Sequence, residues 1–141
     1  MIDASVAIKW LVDEEGTPEA LALLRRAKLL APDFLLAECA NVLWKKVRRH
    51  EFTSGEALVA ARLLESSELE LVSARALPRE AMRIAIELKH PAYDCLYLAL
   101  ALARDTTLVT ADDRFLRIVR RAPRAPFSRF VISLLDAAAR L

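Results

Sequence analysis

Apolar residues along this chain recur at two spacings. In residues 17–28, 34–50, 53–64, 78–89, 91–104 and 112–121 they return every three or four positions, the repeat of one helix face. Between these stretches lie short apolar runs, Leu29–Ala31, Leu69–Val72, Thr107–Thr110 and Phe130–Leu134, which read as strands. A helix over residues 5–12 (SVAIKWLV) precedes them, starting at an Asp3/Ser5 cap, and a short helix closes the chain.

Local punctuation supports these elements. Thr17 is a good N-cap and Pro18 suits the first helical position. Thr53 with Glu56 makes a capping box, and Pro32 ends the first strand. The 34–50 helix is expected to bury Leu36, Ala40, Leu43 and Val47 and to present Glu38, Asn41 and Lys45 on its polar face. Leu69–Val72 alternates acid and apolar residues, as an edge strand does. The 91–104 helix is apolar on nearly every side. Strands alternating with helices imply an α/β fold, a parallel sheet covered on both faces, in one domain over residues 1–141. Such sheets carry their sites at the carboxyl ends of the strands. Asp3 and Asp112 both stand where a strand hands over to a helix.

Composition changes this picture little. The chain has 141 residues, 55 % apolar and 28 % charged, enough for one core. Net charge is only +2, so the protein is not a polycation. Its basic residues are nevertheless clustered, at Lys45, Lys46, Arg48, Arg49 and His50, and again at Arg114, Arg117, Arg120, Arg121 and Arg124. These clusters are either solvated helix faces or phosphate contacts. No apolar run is long and uncharged enough to span a bilayer, and nothing resembling a signal peptide precedes Asp3. With only Cys39 and Cys95, and no paired Cys/His spacing, a cytoplasmic protein with reduced thiols and no zinc site is expected.

The acids carry the candidate chemistry. Asp3 and Asp112 read as N-caps or as site residues, and Glu38 as one exposed acid or as a third member of that site. Asp94 opens a helix in which nothing is charged from Cys95 to Ala103. Its carboxylate is therefore expected to be buried, which is costly without a compensating cation or hydrogen-bond donors. Carboxylates converging without His or Cys form a hard, oxygen-only site that suits Mg²⁺ or Mn²⁺. The matching chemistry is phosphodiester hydrolysis, in which the metal activates a water and screens developing negative charge.

Four segments then resemble a known family. They are Ile2–Trp10 (IDASVAIKW), Leu36–Leu43 (LAECANVL), Tyr93–Ala101 (YDCLYLALA) and Leu108–Phe115 (LVTADDRF). In this order and spacing they resemble a PIN-domain protein, and most of all the VapC toxins of toxin–antitoxin pairs. The resemblance implies an α/β/α sandwich with a short parallel sheet, in a metal-dependent endoribonuclease cutting structured RNA. It implies Asp3 and Asp94 as the principal Mg²⁺ or Mn²⁺ ligands, with Glu38 and Asp112 completing the quartet. Ser5 and Thr110 match hydroxyl positions that hydrogen-bond the acids, and Asp113 matches a secondary acid. Only Met1 and Ile2 stand before Asp3, where the family usually has a longer central strand; here that strand is either very short or continued upstream. A homodimer and a small VapB-like antitoxin are the implied partners, beside the RNA substrate. Lys45 and Arg114 are the expected RNA contacts, from their places near Glu38 and Asp112. A PIN nuclease for RNA processing without an antitoxin, or a non-catalytic PIN module that binds RNA or protein, are the alternatives.

Overall fold

The computed structural model describes residues 1–122 and 126–141; Arg124 of the second basic cluster and part of the Pro-rich Ala122–Ser128 connection lie outside the described residues. The first helix is shorter than its sequence pattern. It is an α-helix only over Ala4–Ala7 (α1), continued as a 3₁₀ turn over Ile8–Trp10. Asp3 caps it, accepting the Val6 N–H. There follow α2 (Thr17–Arg26), β1 (Leu30–Pro32), α3 (Leu35–Arg48), α4 (Ser54–Glu65) and β2 (Glu70–Val72). The remaining elements are α5 (Pro78–Leu88), α6 (Ala92–Ala103), β3 (Leu108–Thr110), α7 (Asp113–Arg121), β4 (Val131–Ser133) and α8 (Leu134–Ala138). The Thr53–Glu56 capping box forms in full at the start of α4.

Each strand has only three residues, and the sheet is assembled from two parallel pairs. In one pair Leu30 lies opposite Glu70 and Pro32 opposite Val72, with β2 solvent-exposed at the edge. In the other, Leu108 faces Val131 and Thr110 faces Ser133. Met1 and Ile2 join the pairs. The Ile2 N–H donates to Leu30 O at 3.1 Å, and the Val109 N–H donates to Met1 O at 2.8 Å. The backbone order is therefore β2, β1, Ile2, β3, β4, a mixed α/β frame of short parallel strands flanked by helices. Ile2 is fully buried, as a residue on the central rung must be.

Helix α6 is the buried pillar: Cys95 and every residue from Tyr97 to Ala101 are buried, and α5 packs along it. On α3 the buried stripe is Leu35, Cys39 and Leu43. That corrects the expected face. Leu43 holds, but Ala40 is exposed and Leu36 and Val47 are only half-buried. This helix carries apolar residues around most of its circumference, so periodicity alone chose a neighbouring phase. Glu38 stays half-buried on its flank. Cys39 and Cys95 are buried free thiols, and burial pushes them up to about 12 and about 11. Among the described residues no helix is long and apolar enough to cross a membrane.

Candidate active site

The predicted acids all stand at the N-terminal ends of helices. Asp3 caps α1, Glu38 and Asp94 lie in the first turns of α3 and α6, and Asp112 caps α7. A helix start favours negative charge, because its free N–H groups and macrodipole are positive there. Four helix starts thus supply partial compensation before any cation is considered.

Asp3 is the buried member. Its residue is 8 % exposed, and with Thr110 it makes up the buried polar residues of the described chain. Ser5 Oγ donates to Asp3 Oδ1 at 2.5 Å and the Val6 N–H donates to the same oxygen at 3.2 Å. Burial still wins, and the carboxyl is pushed up to about 6; the Ser5, Thr110 and Val6 donors pull it down, while the charge of Asp94 pushes it further up. Glu38 is also raised, first by burial and then by Asp94, against the lowering effect of the Tyr97 hydroxyl that donates to Glu38 Oε2. Asp3, Glu38 and Asp94 therefore share one electrostatic neighbourhood, with Asp94 between the influences on the other two.

The expectation that Asp94 is buried is corrected. Its side chain is 39 % exposed, because the apolar run of α6 begins only one residue later. The burial cost falls on Asp3 instead. A hydrogen-bond partner already meets Asp94: His90 Nε2 lies 2.5 Å from Asp94 Oδ2.

Asp112 is engaged differently. Its Oδ1 accepts the N–H groups of Arg114 at 2.8 Å and Phe115 at 3.0 Å, a helix cap in full. Its backbone is tied to the Asp3 side by hydroxyls. Thr110 Oγ1 accepts the Asp112 N–H at 3.0 Å, Ser5 Oγ accepts the Ala111 N–H at 2.9 Å, and the two hydroxyl oxygens lie 3.4 Å apart. Asp113 is exposed and lines a neighbouring cavity of about 320 Å³ with Lys9, Glu19 and Thr110. Lys45 and Arg114 are both exposed. Lys45 borders a cleft with Trp44, Arg48 and Arg49, where the Arg48 guanidinium lies 4.9 Å from the Trp44 ring centre.

Two residues were missed by the sequence reading. Tyr97 bonds Glu38 across 59 positions, although its place three residues after Asp94 put it near the same helix face. His90 is four residues before Asp94, but it precedes the Pro91 cap and so lies outside the regular helix.

The donor set is carboxylate oxygen, which fits Mg²⁺ or Mn²⁺ in kind. Among the described residues no three His, Cys, Asp or Glu side chains stand close enough to enclose one ion.

Four acids at helix starts, two of them (Asp3 and Asp112) close behind short parallel strands, are set on an α/β frame. The chain belongs to the PIN domain family, whose model matches residues 1–121. Members of that family are in general nucleases acting on nucleic acid, and they generally use divalent metals. The crystal structure of PAE2754 from Pyrobaculum aerophilum is similar to this chain, with a TM-score of 0.74 at 22 % identity, over 99 % of this chain and 91 % of that one. That likeness concerns the fold. No protein with a curated description matches the sequence.

Proposed function

We propose that this chain, one domain over residues 1–141, is a metal-dependent endoribonuclease and the toxic component of a toxin–antitoxin pair. One observation carries the reading: Asp3 is a buried carboxyl whose ionised form is disfavoured by its own surroundings and by Asp94. An acid set against its environment in this way calls for a cation, and a divalent ion offsets such repulsion far better than a helix start. Asp3 and Asp94 would hold Mg²⁺ or Mn²⁺, Glu38 and Asp112 would complete the acidic rim, and Ser5 and Thr110 orient the first and last of these. When bound, the metal supplies an activated water and screens charge building on the phosphate oxygens.

RNA as the substrate is supported by exposed basic residues on the helices that carry the acids, Lys45 two turns along α3 from Glu38 and Arg114 two residues after the Asp112 cap. The antitoxin is supported by apolar residues left on the surface, namely Leu58, Val59 and Leu63 on α4 and Trp44 on α3, which packs against it. A helix of a VapB-like partner laid on such a face would bury them. A second copy of the chain, as a homodimer, competes for such surface.

The test is cleavage of RNA by purified protein. Mg²⁺ or Mn²⁺ is required, excess EDTA abolishes activity, and Asp94→Ala abolishes it while the protein stays folded. Full activity of Asp94→Ala would refute the assignment. Co-expression tests the finer claim: an adjacent small gene product that neither co-purifies nor relieves toxicity leaves an RNA-processing nuclease in place of a toxin.

A further inference from the structure

We infer that His90 is a positioning residue for Asp94, holding one of its oxygens so that the other is left for the metal; this rests on the function proposed above. His90 Nε2 lies 2.5 Å from Asp94 Oδ2. An ionised carboxylate only accepts hydrogen bonds, so Nε2 carries the proton and donates it. Asp94 Oδ1 has no hydrogen-bond partner among the described residues.

The ring that makes this bond is itself fixed. The His90 side chain is 7 % exposed, although Asp94 is 39 % exposed. Its ring lies against Phe115, with centroids 5.2 Å apart. The Phe115 backbone N–H is in turn held by the Asp112 carboxylate at 3.0 Å. At the other end, Lys89 closes α5 in a left-handed conformation (φ 51°), and the His90 N–H donates to Ala85 O at 3.1 Å. The chain is thus anchored on both sides of His90.

These contacts link two acids that do not touch. Asp112 holds Phe115, Phe115 backs His90, and His90 holds Asp94. A flexible, partly exposed carboxylate has several rotamers, and a metal must select one of them. A buried donor on one oxygen makes that selection in advance, which is how partners behind metal ligands act elsewhere. Nothing in this role requires His90 to touch substrate or ion.

The test separates the hydrogen bond from the packing. His90→Phe keeps a ring against Phe115 and loses the donor. His90→Gln loses the ring and keeps an N–H near the place of Nε2. Mn²⁺ affinity is measured by titration calorimetry on the purified protein without RNA, beside thermal midpoints and cleavage rates. The expected result is a 10- to 100-fold loss of Mn²⁺ affinity in His90→Phe with a nearly unchanged midpoint. His90→Gln is expected to recover most of the affinity despite a lower midpoint. Unchanged Mn²⁺ affinity in His90→Phe, or losses in both variants that follow only the midpoint, would overturn the inference and leave the proposed function standing. A wild-type protein that binds no Mn²⁺ removes both.

Discussion

Asp3 gives the sharpest quantitative prediction, because its burial should make the metal-free protein lose stability as pH rises. The carboxyl moves from 3.8 to about 6 on folding. The folded state therefore binds the proton more tightly than the unfolded one. Stability is full below the unfolded value, falls between the two values, and stays lowered above the folded one. A shift of about two pH units corresponds to roughly 3 kcal/mol, of which about 2 kcal/mol is lost between pH 4.5 and 7.5. Asp3→Asn removes the titration and keeps the shape. Asn caps helices as well as Asp does, and its oxygen can still accept from Ser5 and Val6. Urea unfolding in EDTA at several pH values measures both proteins, and the carboxylates away from Asp94 cancel in the difference between them. Asp3→Asn should gain about 2 kcal/mol on wild type between pH 4.5 and 7.5. A difference that stays flat across this range would show that Asp3 is not held as described. Adding Mg²⁺ at pH 7.5 should restore wild type and leave Asp3→Asn unchanged.

Other outcomes follow from the surface and the helix caps. Replacing Lys45 and Arg114 with Ala should weaken RNA binding and flatten its salt dependence, measured by filter binding at rising salt, because lost phosphate contacts release fewer counterions. Replacing Arg25 and Arg26, exposed at the end of α2, should do so less; equal losses would place the RNA elsewhere. Thr53→Ala breaks the capping box of α4 and should cost about 1 kcal/mol in urea unfolding with cleavage unchanged.

Much of the fold was legible because it is written locally. Thr53 with Glu56 and the uncharged run after Asp94 each specify an element through nearby residues, and each element formed where expected. Pro18 stands in the first turn of α2, but the expected Thr17 cap is corrected: Thr17 is the first helical residue, Gly16 caps the helix in a left-handed conformation (φ 86°), and the Thr17 hydroxyl accepts the Glu14 N–H instead. The family resemblance placed the acids in order. Burial was harder to read. Asp94 follows a proline cap at the open end of α6, and a pattern that shows a helix to be apolar does not show where its shielding starts. The phase of α3 failed for a related reason: Leu35, Leu36, Ala37 and Ala40 offer more than one apolar stripe, and the neighbours decide among them. Tyr97 with Glu38 could not be found at all from spacing, since the contact joins two helices.

The Ser5 hydroxyl has a consequence for when the protein can act. It donates to Asp3 and accepts from Ala111, so it joins positions 106 residues apart. Ile2 is similarly paired with Val109. The first acid is therefore seated only after the β3 turn has been made and has left the ribosome. Synthesis at about 5–20 residues per second delays that event until several seconds into translation. Until then the nascent chain carries Asp3, Glu38 and Asp94 without the wall that holds the first of them. The seating of Asp3 thus waits on residues 106 positions further along the chain, whatever the order in which the helices form.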